Sequence, residues 1–276
     1  MRCLFSPLRD GACNLALEEH LFASGEDALL FWISDPCVVI GRNQNAFGEA
    51  DLAYCRRHAV PLYRRITGGG AVYHDGGNLN CSRMTAAEGP ISYAPFLDPL
   101  VEGLHTLSVD AVRRGESDVY LSGAKLCGTA QTLSKGRVLT HATLLCQTDL
   151  GALTAALSPG KFRPQGGGVA SRRASVTNCG LDPEEAARGL ARAMGGELSV
   201  PTEEELAAAR RLADEKYRTY AWNFARSPRF SVALPELQMD VEQGVITRCS
   251  LPALVGHRPI PEDLPHSVLM LLYELS

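Results

Sequence analysis

The stretch that most constrains this chain is residues 64–82, RRITGGGAVYHDGGNLNCS. Two arginines precede three consecutive glycines. A short apolar run, His-Asp, two more glycines and two asparagines follow. Glycine admits positive φ and lets a ligand come close to main-chain amides. Arginines beside such a loop suit an anionic ligand. Alone, a glycine triplet reads as a hairpin or surface loop; the whole string asks for more. Its flanks at 60–66 and 71–73 have strand composition, and 74–77 reads as a turn. A Rossmann loop or a P-loop opens a helix, so neither fits, and an anion is expected between strands.

The remaining composition excludes several classes. The 276 residues carry a net charge of −4, so nothing global suggests nucleic acid or an anionic membrane as a partner. No apolar run approaches the roughly 20 residues that span a bilayer. Residues 1–10 hold too short an apolar core for a signal peptide, and the expected address is the cytoplasm. Nine cysteines are scattered with no CxxC pair, which indicates neither a disulfide framework nor a metal site. The basic residues comprise 23 Arg and only four Lys, at 125, 135, 161 and 216. A lysine kept in such a chain marks a position that needs a compact ammonium rather than a planar fork.

Residues 14–23 read as an amphipathic helix. Residues 28–33 and 37–41 read as two buried strands joined by a turn at 34–36. Residues 41–45 form a polar cluster at a strand end. Asp98-Pro99 is expected to open a helix. Strands are expected at 119–130 and 138–146, with a turn at 132–136. A helix should start at Asp182-Pro183 and end at Gly195-Gly196, and Thr202 opens a capping box for another that runs to about Tyr217. Residues 229–250 look like an antiparallel meander turning at Gln243-Gly244, and 264–275 like a final helix. The region after Ser227-Pro228 is the candidate for a separate C-terminal unit.

Lys125 sits among small residues in SGAKLCGTAQ (122–131), where a main chain can approach a ligand. In plain strand geometry Lys125, Cys127 and Thr129 share a face. A surface lysine on a strand edge is the alternative; the scarcity of lysine favours a functional one. His141 and Thr143 lie on an alternating strand and either can face a pocket, although a lone histidine there reads equally as a core residue. No HxxxH or HxH partner supports a metal site. Residues 161–178, KFRPQGGGVASRRASVTN, are a second glycine-rich basic stretch, either a solvated loop or a lid over an anion. No Ser–His–acid order and no GxSxG elbow is present.

Together these pieces resemble the lipoate-protein ligase A family. The resemblance covers most of the chain. It is carried, in the family's order, by NLALEE (14–19), VIGRNQN (39–45), the 64–82 string, KLCGTA (125–130), HATLL (141–145) and SVTN (175–178). YAWNF (220–224) resembles the segment between the family's catalytic and accessory domains. The resemblance implies an α+β fold of mixed and antiparallel sheets flanked by helices, shared with biotin protein ligases. It implies a catalytic domain at 1–226 and a short C-terminal accessory unit at 227–276. It also implies activation of lipoate or octanoate with ATP to the acyl-adenylate, then transfer to a lysine of a carrier. The carriers would be lipoyl domains of 2-oxoacid dehydrogenase complexes or the glycine cleavage H protein. Lys125 would be the catalytic lysine. Arg65, Gly70, Ala71, Val72, Tyr73, Asp75, Asn78, Asp118 and Thr143 would hold the nucleotide with it. Gly69, Gly70 and His74 would line the mouth of the lipoate pocket, and Lys125 would touch the acyl oxygen as well. Mg²⁺ is expected with the triphosphate. Phe31, Val38 and Leu145 are candidates for the acyl tunnel.

Two departures from the family pattern matter. Ala142 stands where the family has glycine, which would narrow the pocket. The C-terminal unit is short, which leaves open a transferase that uses preformed lipoyl-adenylate or works with a separate accessory subunit. A cysteine-dependent octanoyl- or lipoyl-transferase of the same fold is the nearest rival. Its nucleophile would lie just before the lysine strand, where residues 113–119 hold no cysteine. A non-catalytic lipoate- or nucleotide-binding protein and a biotin ligase are the remaining readings.

Overall fold

The computed structural model describes residues 1–159 and 162–272. Its first element, β1 (Arg2–Phe5), leads into α1 (Gly11–Ser24), which Asp10 caps by accepting from Cys13 N–H and which ends at Gly25 in the left-handed region. β2 (Ala28–Trp32) and β3 (Cys37–Ile40) are buried along their whole length. Two short helices, α2 (Ala46–Glu49) and α3 (Leu52–Arg57), precede β4 (Leu62–Arg64), β5 (Val72–His74) and β6 (Asn78–Ala86). Next come α4 (Ala94–Thr106), β7 (Val112–Arg114), β8 (Asp118–Leu121), β9 (Ala124–Ser134) and β10 (Arg137–Leu145). Helices α5 (Leu150–Ala156), α6 (Pro183–Ala193), α7 (Glu203–Leu212) and α8 (Tyr220–Asn223) follow, α7 running on to Tyr217 as a wider π turn. The C-terminal part holds β11 (Phe230–Ala233), β12 (Gln238–Glu242), β13 (Val245–Cys249) and α9 (His266–Leu272).

A seven-stranded mixed sheet, in the order β1-β2-β6-β10-β9-β8-β7, is the frame. Only its β1–β2 pair is parallel. One face packs on α4 and α6 through Leu29, Phe31, Leu79, Cys81, Leu100, Leu144 and Leu190. On the other side Leu30, Trp32 and Leu139 pack with α1, α7 and part of a small sheet, β4-β3-β5. The meander β11-β12-β13 buries Phe230, Val232 and Met239 in one cluster with Val38, Ile40 and Phe47. A sheet covered on both faces removes apolar surface from water on each side.

Several sequence expectations are corrected. β2 and β3 adjoin in sequence but belong to different sheets. β6, unassigned from the sequence, is a central strand whose register pairs Asn80 with Trp32 on one side and Thr143 on the other. α4 begins at Ala94, so Pro99 is inside it rather than at its start. The carbonyl that loses its partner to Pro99, that of Pro95, accepts from Arg83 Nη1 instead. The expected strand at 119–130 is a hairpin turning at Ser122 and Gly123, with φ of 50° and 87°, and β9 runs on to Ser134. Only Lys135 and Gly136 make the next turn. The Thr202 capping box, the Asp182 cap and the turn at Gln243-Gly244 are found where expected. α9 is described to Leu272, and the rest of the expected final helix lies outside the described residues.

Candidate active site

The glycine string lies between β4 and β5, with both arginines turned inward. Arg64 is fully buried and donates to the carbonyls of Gly41, Arg42, Gln44, Trp222 and Asn223 and to Ser227 Oγ. It ties α8 and the turn after it to the strand ends. Arg65 donates to Val39 O, Gly68 O, Gly70 O and Thr67 Oγ1. Burial pushes its guanidinium down to about 10. The fork is engaged by the loop's own carbonyls, so in this structure it shapes the loop, whereas the sequence suggested a direct anion ligand. The loop is tight. Gly69 has φ of +84°, and a Cβ on Gly41 would lie 2.1 Å from Gly69 O.

Two cavities meet on this loop. The smaller, about 320 Å³, has one wall of Gly69, Gly70, Ala71, Val72 and His74. Its other wall is the large sheet, in two rows set by register. Trp32, Asn80, Thr143, Gly128 and Asp118 lie opposite one another on successive strands from β2 to β8. Ser82, His141 and Ala130 form the next row. Three strand spacings separate Trp32 from Gly128, roughly 14 Å. The larger cavity, about 620 Å³, is lined by Tyr73, Leu145, Leu153, Leu157, Arg163, Arg173 and neighbours. Lys125, Gly128, Thr143, Ala71 and Val72 line both.

Lys125 reaches this junction through a β-bulge. β8 and β9 pair Val119 with Cys127 and Tyr120 with Lys125, so Leu126 is an extra residue. The alternation slips by one there, which corrects the expectation that Lys125, Cys127 and Thr129 share a face. Cys127 packs in the core with Val119, and burial pushes its thiol up to about 12, so it is no nucleophile. Lys125 instead runs beside Gly128, whose missing side chain leaves room for its Cε and Nζ. Its Nζ lies 2.8 Å from Asp118 Oδ1.

His74 is 2% exposed and sits deep in the smaller cavity, not at a mouth. Its Nε2 is 3.2 Å from Thr143 Oγ1, which donates to Asn80 Oδ1. Burial, with smaller contributions from Arg65 and His141, pushes the imidazole down to about 3, so it is neutral. His74 Nδ1 and Trp32 Nε1 are buried without a hydrogen-bond partner among the described residues. Both line the smaller cavity; Trp32 Nε1 is a donor, and with Nε2 donating to Thr143 the Nδ1 of neutral His74 is an acceptor, so the pair offers one weak site of each kind among apolar atoms. Asp75 and Asn78 line neither cavity. Asp75 accepts from Gly77 N–H and Asp149 N–H, and Asn78 bridges Asp75 N–H and Tyr73 O, so the pair locks the turn.

The stretch at 161–178 is exposed over most of its described length and bonds the site through Ser171, Ser175 and Thr177; Lys161 lies outside the described residues. Ser175 O and Thr177 N pair with the main chain of Lys125. Ser171 Oγ accepts from Ala71 N–H at 2.8 Å, from Gln44 Nε2 at 3.0 Å, and bonds Glu49 Oε2. The tunnel candidates are displaced by one residue. Phe31 and Val38 face the cores while Trp32 and Val39 face the smaller cavity, and Leu145 lines the larger one. Ala142 belongs to the core cluster with Cys81 and also lines the smaller cavity. The sequence reading missed Glu18, Trp32, Gln44, Glu49, Thr67, Asn80, Ser82 and Ser171. A signal existed for Glu18: it is spaced by three between Leu15 and Leu21, on the apolar stripe of α1. Asn80 and Ser82 alternate with Leu79 and Cys81, the period of a strand with one polar face.

Comparison with known proteins gives this arrangement a family. Residues 10–180 match the model of the lipoyl protein ligase A/B catalytic domain. Lipoate–protein ligase 1 of Staphylococcus aureus is 32% identical, over 88% of this chain and 81% of its own. A crystal structure of lipoate-protein ligase A bound with ATP superposes with a TM-score of 0.68 at 31% identity, covering 81% of this chain and 98% of that one. A structure from Thermoplasma acidophilum, of a bipartite lipoate protein ligase and its E2 lipoyl domain, gives 0.65 at 30%, covering 81% and 96%. By sequence and by structure, this chain belongs to the lipoyl protein ligase A/B catalytic-domain family.

Proposed function

We propose that this chain is an ATP-dependent lipoate-protein ligase. It activates lipoate, or octanoate, as the acyl-adenylate and passes the acyl group to a lysine of a carrier domain. The observation that carries this reading is the position of Lys125, an ammonium at the junction of two adjoining cavities. The smaller, with Leu15, Trp32, Val39 and Val72 among its walls, suits the acyl chain. The larger suits the nucleotide, with Arg163, Arg172 and Arg173 on its wall.

The chemistry follows from that junction. A carboxylate oxygen of the acyl substrate attacks the α-phosphorus of ATP, and the bond to the bridging oxygen breaks to release pyrophosphate. Negative charge grows on the α-phosphate, where Lys125 and the amides of Gly70 and Ala71 stabilise it. The carrier lysine, as the free amine, then attacks the acyl carbon; AMP leaves and the amine gives up a proton. Asp118 orients Lys125. Val72, Tyr73 and Thr143 contact the nucleotide, Gly69 and His74 the acyl group, and Asp75 and Asn78 hold the loop between them. Arg65 acts by fixing the loop carbonyls.

Among the described residues no group of three His, Cys, Asp or Glu side chains is arranged to hold a metal ion. A Mg²⁺ ion would be carried mainly on phosphate oxygens with few protein ligands. Asp118 and Glu49, paired here with Lys125 and Ser171, would be its protein carboxylates, and it would neutralise triphosphate charge. The carriers proposed are lipoyl domains of 2-oxoacid dehydrogenase complexes or the glycine cleavage H protein. Residues 1–226 form the catalytic domain and 227–276 the accessory unit. No described helix is long and apolar enough to cross a membrane, and the compartment proposed is the cytoplasm.

The test is lipoate-dependent exchange of pyrophosphate into ATP by the isolated chain. Exchange supports the full ligase. No exchange, with transfer from synthetic lipoyl-adenylate intact, replaces it by a transferase that needs an accessory subunit.

A further inference from the structure

Behind the second row of the smaller cavity lies a polar chain that ends on Arg65, and the reaction above uses only that end of it. Glu18, on α1, is 1% exposed, between Leu15 and Leu21 on the buried stripe of the helix. It accepts from Ser82 Oγ at 2.5 Å, and its two oxygens lie 3.2 and 3.1 Å from His141 Nδ1. Burial alone would raise this carboxyl, but His141, Ser82 and Arg65 outweigh it and hold it below its ordinary value. His141 Nε2 lies 2.9 Å from Thr67 Oγ1. Thr67 Oγ1 also accepts from Arg65 Nε at 3.1 Å, and Arg65 Nη2 donates to Gly68 O and Gly70 O.

A wholly buried carboxylate is costly unless it is paired, and a helix that only needed packing would carry leucine there. The far end of this chain is the glycine loop, not solvent. His141 also lines the smaller cavity, so an occupant of that cavity bears on its ring. The connection is continuous from acyl-facing ring to hydroxyl to guanidinium to the carbonyl of Gly70, in the same peptide group as the Ala71 amide.

We infer that Glu18 and His141 are positioning residues that couple the acyl site to the nucleotide site through Thr67. The inference rests on the proposed assignment of the two cavities. An acyl chain against His141 fixes its contact with Thr67, which fixes Arg65 and the amides of Gly70 and Ala71. Binding free energies are reciprocal, so lipoate tightens the nucleotide and the nucleotide tightens lipoate by the same factor.

The experiment is equilibrium binding of α,β-methylene-ATP to the full chain, with and without saturating lipoate. In the unsubstituted protein lipoate should lower the nucleotide Kd by about 5-fold or more, the lower end of typical coupling. Thr67→Val keeps the shape and removes the hydroxyl. It should bring the ratio of the two Kd values to about 1 while the Kd of lipoate alone stays within about twofold. Thr67→Ser should restore the ratio, and Glu18→Gln should reduce it. Thermal melts confirm that each variant is folded. A ratio near 1 in the unsubstituted protein, or a ratio kept in Thr67→Val, overturns the inference. Failure of the folded, unsubstituted chain to bind either ligand would instead strike at the proposed function.

Discussion

Lys125 and Asp118 stand side by side at the end of one cross-strand row, Nζ and Oδ1 2.8 Å apart. Only the extra residue Leu126 makes this possible. Without the bulge Lys125 would project into the core that holds Cys127. The pair is partly open, at 25% and 31% side-chain exposure, so a ligand can take over the ammonium without first paying for a buried charge.

Replacing Lys125 by arginine keeps the charge and loses the fit beside Gly128. Lys125→Arg should lower kcat/KM for pyrophosphate exchange by about 10²–10³-fold, the usual cost of a lost charge stabiliser. Lys125→Met should be at least as severe. Asp118→Asn should be milder, because the ammonium remains. Normal exchange in Lys125→Arg would remove the mechanism.

The Ser171 hydroxyl occupies the Ala71 amide that the proposed reaction assigns to phosphate. A triphosphate must displace it. Ser171→Ala should therefore lower the KM for ATP and speed amide hydrogen exchange at Ala71 by about fivefold, the equivalent of a hydrogen bond of about 1 kcal/mol. Slower exchange at Ala71, or a raised KM, would show that the hydroxyl supports the nucleotide instead of competing with it.

Gly41 and Gly76 make a paired test of the loop's packing. A Cβ on Gly41 meets the carbonyl of Gly69 at 2.1 Å, whereas one on Gly76 meets nothing within 4 Å. Gly41→Ala should cost about 1–3 kcal/mol or more in unfolding free energy and abolish exchange activity. Gly76→Ala should be near neutral in both. Equal melting temperatures for the two would contradict the packing described.

His74 links stability to pH. Its folded value is about 3 because burial disfavours the charged ring; unfolded, it titrates near 6.5. Between those values the unfolded chain binds a proton that the folded chain does not. Stability contributed by this group is therefore full above about pH 6.5 and is lost as pH falls towards 3, at up to about 1.4 kcal/mol per pH unit. The carboxyl of Glu18, held below its ordinary value, adds a loss in the same direction at lower pH. In His74→Asn the unfolding free energy should fall less steeply between pH 6.5 and 5. Parallel slopes would exclude His74 as the cause.

What the sequence determined by itself is local. The caps at Asp182 and Thr202, the turn at Gln243-Gly244 and the strands around the glycine triplet are set by neighbours within a few residues. The scarcity of lysine singled out Lys125, and the order of the motifs identified the family. Facing was not legible. β2 and β3 are buried on both sides, so their apolar runs carry no alternation that tells Phe31 from Trp32 or Val38 from Val39. The bulge at Leu126 depends on how β8 registers against β9, which no local pattern announces. The arginines at 64 and 65 read as anion ligands until their partners at 222, 223 and 227 and the carbonyls of the glycine loop turned them inward. Glu18, Thr67 and His141 are far apart in sequence, and only the packing of α1 against the large sheet joins them. Short-range preferences decide which element forms. Which side chain meets which cavity is decided by pairing and burial between distant segments, where a shift of one residue exchanges the two faces.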